Sequence, residues 1–135
     1  LSWSDVCGDV LEAMREVYNG PIVLEPRHPS LSDGHMLRRL QQAHISVVAA
    51  DPPLIITALK PLGDPALCYF RLHGNPRVYW SSYDEQALLA VADQVEQLVK
   101  QKRQVWVMFD NTASGAATPN AFRLKEMLGV ALKSA

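Results

Sequence analysis

The 135 residues are 48% hydrophobic and 20% charged, which gives one globular domain enough apolar mass for a core and excludes a disordered or fibrous chain. The formal net charge is −1 and the only basic run is Lys100-Gln101-Lys102-Arg103, so nothing draws the chain electrostatically to nucleic acid or to an anionic membrane. Cys7 and Cys68 stand far apart with no Cys-x-x-Cys spacing, which predicts reduced core thiols rather than a disulfide framework.

No apolar run reaches the roughly 18 residues of a spanning helix, and no charged leader with a small-residue cleavage site opens the sequence. A cytoplasmic protein is the default expectation. Residue one is Leu1 rather than Met, as expected of a piece of a longer chain or of a processed product.

Val6, Val10, Leu11, Met14 and Val17 recur at helical spacing behind a candidate N-cap at Ser4, which predicts a helix over 5–18 that Asn19-Gly20 ends. Residues 21–25, Pro-Ile-Val-Leu-Glu, form a short apolar run of the kind buried on both faces in a parallel sheet. A second helix follows, capped by Ser30 or Ser32, with Met36, Leu37 and Leu40 inward and Arg38, Arg39, Gln41 and Gln42 in water. His35 and His44 fall on its surface and its end. The run 45–50, Ile-Ser-Val-Val-Ala-Ala, reads as a second buried strand, stopped at Asp51-Pro52-Pro53 because proline cannot donate to a sheet ladder. From there to Leu67, prolines and a glycine predict a loop with at most a short turn of helix.

A third strand runs from Leu67 to Leu72 and is stopped by Gly74-Asn75-Pro76. Asp84-Glu85 then opens a helix with the stripe Leu88, Val91, Ala92, Val95, Leu98 and Val99, and Lys100, Lys102 and Arg103 follow at the end where the helix dipole favours cations. Residues 104–109 make a fourth strand, closed by Asp110-Asn111. After a small-residue loop, Thr118 is expected to cap and Pro119 to open a last helix bearing Ala121, Leu124, Met127, Leu128 and Ala131.

Strands separated by helices imply a parallel sheet, either open and doubly wound or rolled into a βα-barrel. Polar residues gather at the C-terminal end of every strand: Glu25, Arg27 and His28; Asp51; Arg71 and His73; Asp110 and Asn111. That is the rim on which barrel sites are built, whereas the Gly-rich first turn of a dinucleotide-binding open sheet is missing. The expected fold class is α/β, parallel βα units of a TIM barrel. A whole barrel has eight strands and about 250 residues, so residues 1–135 are expected to form a single α/β domain that is half of one. Parity places Val23, Val47, Tyr69 and Phe109 on the inward face. A bare face of this kind needs a cover, either a second copy in a homodimer or a missing N-terminal half.

Four motifs come in order along the chain: Glu25-Pro26-Arg27-His28-Pro29-Ser30; Ala50-Asp51-Pro52-Pro53; Tyr69-Phe70-Arg71-Leu72-His73-Gly74, followed by Tyr79 and Tyr83; and Phe109-Asp110-Asn111, with Gly115 and Asn120-Ala121. In this the chain resembles the YecE-like family, the domain of unknown function 72, whose members look like single TIM barrels of about twice this length. The resemblance covers nearly the whole chain and implies strands five to eight, the C-terminal half. Pro26 stands where the family pattern has an aromatic, Leu31 where a Trp often stands, and Asp110 where the first of two Asn stands. The family has no settled activity, so the resemblance implies a fold and a rim but no reaction.

Two arginines and two histidines at one rim suit a small anionic ligand, a carboxylate or phosphate group, held by bidentate hydrogen bonds. His28 or His73 would act as general acid or base with Glu25 or Asp51 orienting it, which makes Glu25, His28, Asp51 and His73 the candidate catalytic residues. Arg27, Arg71, Tyr69, Tyr79, Tyr83 and Asn111 are the candidate substrate-binding residues, and Trp80 is either a wall or ordinary packing. Ligand types for a metal are present without His-x-x-x-His or Glu-x-x-His spacing, and the arginines oppose a cation, so no metal site is expected. Neither a P-loop nor a dinucleotide fingerprint is present, and no cofactor is assigned. Three readings fit: an enzyme acting on a small anionic or sugar-like substrate, a non-catalytic ligand-binding barrel, and a partial chain inactive by itself. An ion-pair network in which Arg71 neutralises Glu25 or Asp51 accounts for the same residues without chemistry.

Overall fold

The computed structural model describes residues 3–31, 33–53 and 59–129. Its elements are α1 (Trp3–Val17), β1 (Ile22–Leu24), a 3-10 turn (Pro29–Leu31), α2 (Gly34–Gln42), β2 (Ile45–Val47), β3 (Ala49–Asp51), β4 (Leu62–Gly63), β5 (Leu67–Leu72), α3 (Glu85–Lys100), β6 (Gln104–Phe109) and α4 (Ala117–Met127).

β1 pairs with β2, β3 with β5, and β5 with β6, all parallel. The strand expected over 45–50 is one extended run that changes partners at Val48: its first part lies against β1 and its second against β5. β4, within the segment expected as loop, runs antiparallel along β2. Gly63 permits that approach, because its φ of 75° is left-handed and a Cβ there would sit 2.3 Å from the Ile45 carbonyl oxygen. The result is a mixed α/β fold with parallel sheets and four helices, and no closed barrel among the described residues.

Burial decides which face is which. Ile22, Leu24, Ile45 and Val47 pack with Leu11 of α1 and with Met36 and Leu40 of α2. Ala49, Cys68, Phe70 and Leu72 pack with Leu88, Val91, Ala92 and Val95 of α3 and with Leu124 of α4. Alternation sends Val23, Val48, Tyr69, Trp106 and Met108 to the opposite side, where Trp106 is 47% and Met108 39% exposed.

Two inward assignments are corrected by this packing. Val47 belongs to the cluster under α1 and α2, and Phe109 packs on the helix side, edge-on to Tyr83 with 6.1 Å between ring centroids. A displacement of one residue reverses every side chain of a pleated strand, so Val48 and Met108 are the inward residues.

The helix starts also differ from the sequence reading. Asp33, not Ser30, caps α2 by accepting the Met36 N–H at 2.7 Å, and Ser32 lies outside the described residues. α4 begins at Ala117 without a side-chain cap, which leaves Thr118 and Pro119 inside its first turn, where a missing N–H costs nothing. Ala131 lies outside the described residues. Both cysteines are free, and no described helix is long and apolar enough to cross a membrane.

Candidate functional site

The sheet ladder continues one step past the strands. The His73 N–H donates to the Asp51 carbonyl and the Asp110 N–H to the Leu72 carbonyl, each at 2.8 Å, which holds the ends of β3, β5 and β6 level. Parity then sorts the side chains. Glu25 is in step with Val23, Arg71 and His73 with Tyr69, and Asp110 with Met108, so these turn inward. Asp51, in step with Ala49, and Asn111, in step with Phe109, turn toward the helices.

On the inward side, opposite charges converge. Arg71 donates through Nη1 to Glu25 Oε2 at 2.7 Å and through Nε to Asp110 Oδ2 at 2.6 Å. Arg27 Nη2 lies 2.7 Å from Glu25 Oε1. His73, only 3% exposed, stands between the carboxylates, with Nε2 3.4 Å from Glu25 Oε1 and Nδ1 3.3 Å from Asp110 Oδ2. At these separations neither ring nitrogen nor Glu25 Oε1 has a partner aligned for a hydrogen bond. The Glu25 hydrogen bond raises the Arg71 pKa against the opposing effect of burial, so the guanidinium stays charged.

Tyr79 closes over the imidazole, its ring edge-on to His73 at 5.9 Å. With φ at 68° it is a non-glycine residue in the left-handed region, held there because its N–H donates to the His73 carbonyl and its own carbonyl accepts the Ala113 N–H. Gly74, at φ 97°, makes the turn out of β5, and a Cβ on it would lie 3.1 Å from the carbonyl oxygens of Arg77 and Ser81. A pocket of about 530 Å³ is lined by Val23, Val48, Tyr69, Met108 and Phe109 together with Glu25, Arg71 and Asp110. A smaller hollow of about 30 Å³, the size of one water, is bounded by Arg27, Pro52, His73, Val78 and Tyr79.

Of the residues chosen from sequence, Glu25, Arg27, Arg71 and His73 come together, with Tyr69 on the pocket wall and Tyr79 over the imidazole. Four others lie elsewhere. His28 is exposed, its Nδ1 2.8 Å from Ser30 Oγ. The Asp51 carboxylate accepts from Asn75 Nδ2 at 3.3 Å. Tyr83 is buried; its hydroxyl accepts the Gly74 N–H and donates to the Asp51 carbonyl, and burial pushes the phenol pKa well above its ordinary value. Asn111 is fully buried and donates through Nδ2 to the Ser81 carbonyl and to Asn120 Oδ1. Tyr83 and Asn111 therefore brace the rim from the helix side. Trp80 is exposed and stacks under the Arg77 guanidinium, 4.3 Å from its ring centroid. The sequence reading passes over Asp110 as a site residue, although alternation counted from Val105 and Val107 places it inward. Among the described residues, no three His, Cys, Asp or Glu side chains are grouped to hold a metal ion.

Fold and cluster together define a mixed α/β protein with parallel sheets, its helices packed on one face and ionisable side chains gathered at the C-terminal ends of its strands. Residues 4–135 match the family described as protein of unknown function DUF72, and the chain belongs to that family. A DUF72 family protein from Thermotoga maritima is 28% identical, with a TM-score of 0.74 over 91% of this chain and 52% of its own. Two crystal structures of a DUF72 family protein from Enterococcus faecalis, at 19% and 23% identity, share the fold, with TM-scores of 0.77 and 0.76 over 93% and 97% of this chain and 54% and 57% of theirs. The chain thus spans about half the length of these solved relatives. No curated protein matches it.

Proposed function

We propose that the chain is the C-terminal half of a TIM barrel, strands five to eight, and that its rim is an active site for a small anionic or sugar-like substrate. The greater length of the relatives and the uncovered inward face support the half-barrel, with the N-terminal half, or a second copy, as the cover. One observation carries the site reading: His73 is buried between carboxylates from two other strand ends and hydrogen-bonded to neither. Buried polar groups are ordinarily satisfied, so such a group is the natural place for a ligand or water to supply the missing bond. In this reading His73 exchanges a proton with the substrate, Glu25 and Asp110 orient the ring, Arg71 fixes both carboxylates, Tyr69 walls the larger pocket, and Tyr79 bounds the small hollow at the imidazole.

The test is an NMR turnover assay of the full-length protein with sugars, sugar phosphates and small carboxylates. One class should turn over, and His73→Gln should lower kcat/KM by at least about 100-fold with melting temperature nearly unchanged. Binding without turnover would replace this reading with a non-catalytic ligand-binding barrel. That alternative draws on Arg71, whose charge two carboxylates of the chain already balance.

A further inference from the structure

The hydrogen-bonding needs of the rim select among its ligands. Arg71 spends Nη1 on Glu25 and Nε on Asp110, and Arg27 stands against Glu25. Leaving His73 aside, two positive charges face two negative ones, so the cluster holds no surplus cation for an anion. The atoms left wanting point the same way. Glu25 Oε1 is buried, ion-paired with Arg27 at 2.7 Å but without an aligned hydrogen bond, and His73 Nδ1 and Nε2 are buried beside it, also without one. A carboxylate brings only acceptors, and a phosphate brings net negative charge with more acceptors than donors, so either sets like charge against Glu25 and Asp110. A hydroxyl donates and accepts at one atom, and so can serve the carboxylate and the imidazole together. The larger pocket meets this cluster at Glu25, Arg71 and Asp110, and there Val23, Val48, Tyr69 and Met108 offer an apolar wall to the C–H face of such a ligand.

Resting on the site reading above, we infer that the rim takes an uncharged, hydroxyl-bearing ligand, a sugar or polyol, in preference to a phosphate or carboxylate. The experiment is ligand-observed NMR on the full-length protein, with saturation transfer to glucose and xylose and phosphorus line broadening for inorganic phosphate. Saturation transfer to at least one sugar is expected, with no broadening by millimolar phosphate. Asp110→Asn removes one balancing charge with almost no change of shape and should raise phosphate affinity at least about tenfold. Wild-type protein that binds phosphate in preference to both sugars overturns the ligand class and leaves the site reading standing. Binding of neither probe overturns both. Should Asp110→Asn fail to fold, the wild-type comparison alone still decides between these outcomes.

Discussion

Replacing Arg71 with Met keeps much of the stem's volume and removes the charge that ties β1, β5 and β6 together at the rim. Arg71 bonds residues 46 and 39 positions away, so no local element can take over its role. Orphaning a fully buried charge costs about 3–5 kcal/mol, whereas a surface pair is worth about 0–1 kcal/mol. The side chains here fall between these limits: Glu25 is 11% exposed, Asp110 29% and Arg71 36%. Water therefore screens the Asp110 end, and Arg27 remains beside Glu25. The expected loss is about 2–3 kcal/mol, or roughly 6–10 °C in Tm. Urea unfolding with an unchanged slope would measure it. Adding Glu25→Gln to Arg71→Met should recover about half the loss, because the charge left unpaired is then gone. A single-mutant loss below about 1 kcal/mol, or strict additivity in the double mutant, would refute the reasoning.

Tyr83→Phe should cost about 1–3 kcal/mol, since it leaves the buried Gly74 N–H without its acceptor; thermal melting at neutral pH checks this. The raised phenol pKa also has a pH signature: its contribution is complete below the unfolded value of about 10 and is lost as pH rises through the folded value, so wild type should weaken above about pH 10 more steeply than Tyr83→Phe. Gly74→Ala forces a Cβ onto a left-handed backbone beside two carbonyl oxygens and should destabilise by about 1–3 kcal/mol, a claim that unchanged urea unfolding would sink. The 135-residue chain produced alone should sediment as a dimer or larger species, and Trp106→Glu should shift it toward monomer; a wild-type monomer that melts cooperatively would show that the inward face needs no cover. His28→Ala should change stability by less than about 0.5 kcal/mol and leave ligand titrations as they are, because the side chain is exposed and its hydrogen bond is to Ser30.

Much of the fold is legible in short-range pattern. The stripes of α1 and α3, the apolar runs of the strands and the turn residues after them depend on neighbours within a few positions, and there local propensity and burial agree. Caps are less legible. Ser30, Ser32 and Asp33 all qualify chemically, and the start of α2 is settled by the axis that seats Met36 and Leu40 in the core. β4 has no signature of its own, since two residues become a strand only by meeting β2 across Gly63.

The candidate site divides along the same line. Residue type and strand-end position were enough to mark Glu25, Arg27, Arg71 and His73. By themselves they did not separate Asp110 from Asn111, because adjacent residues at a strand end differ only in which way they point; that takes the alternation of β6 together with the face that the helices bury. Nor could they bring Glu25 and Asp110 to opposite sides of one imidazole. Strand order does that, placing β1 beside β2, β3 beside β5 and β5 beside β6 with their ends level. Sequence by itself determined which side chains are available at the ends of the strands, because that depends on spacing along one strand. Only the tertiary structure decided which of them meet, because that depends on pairing between strands far apart in the chain.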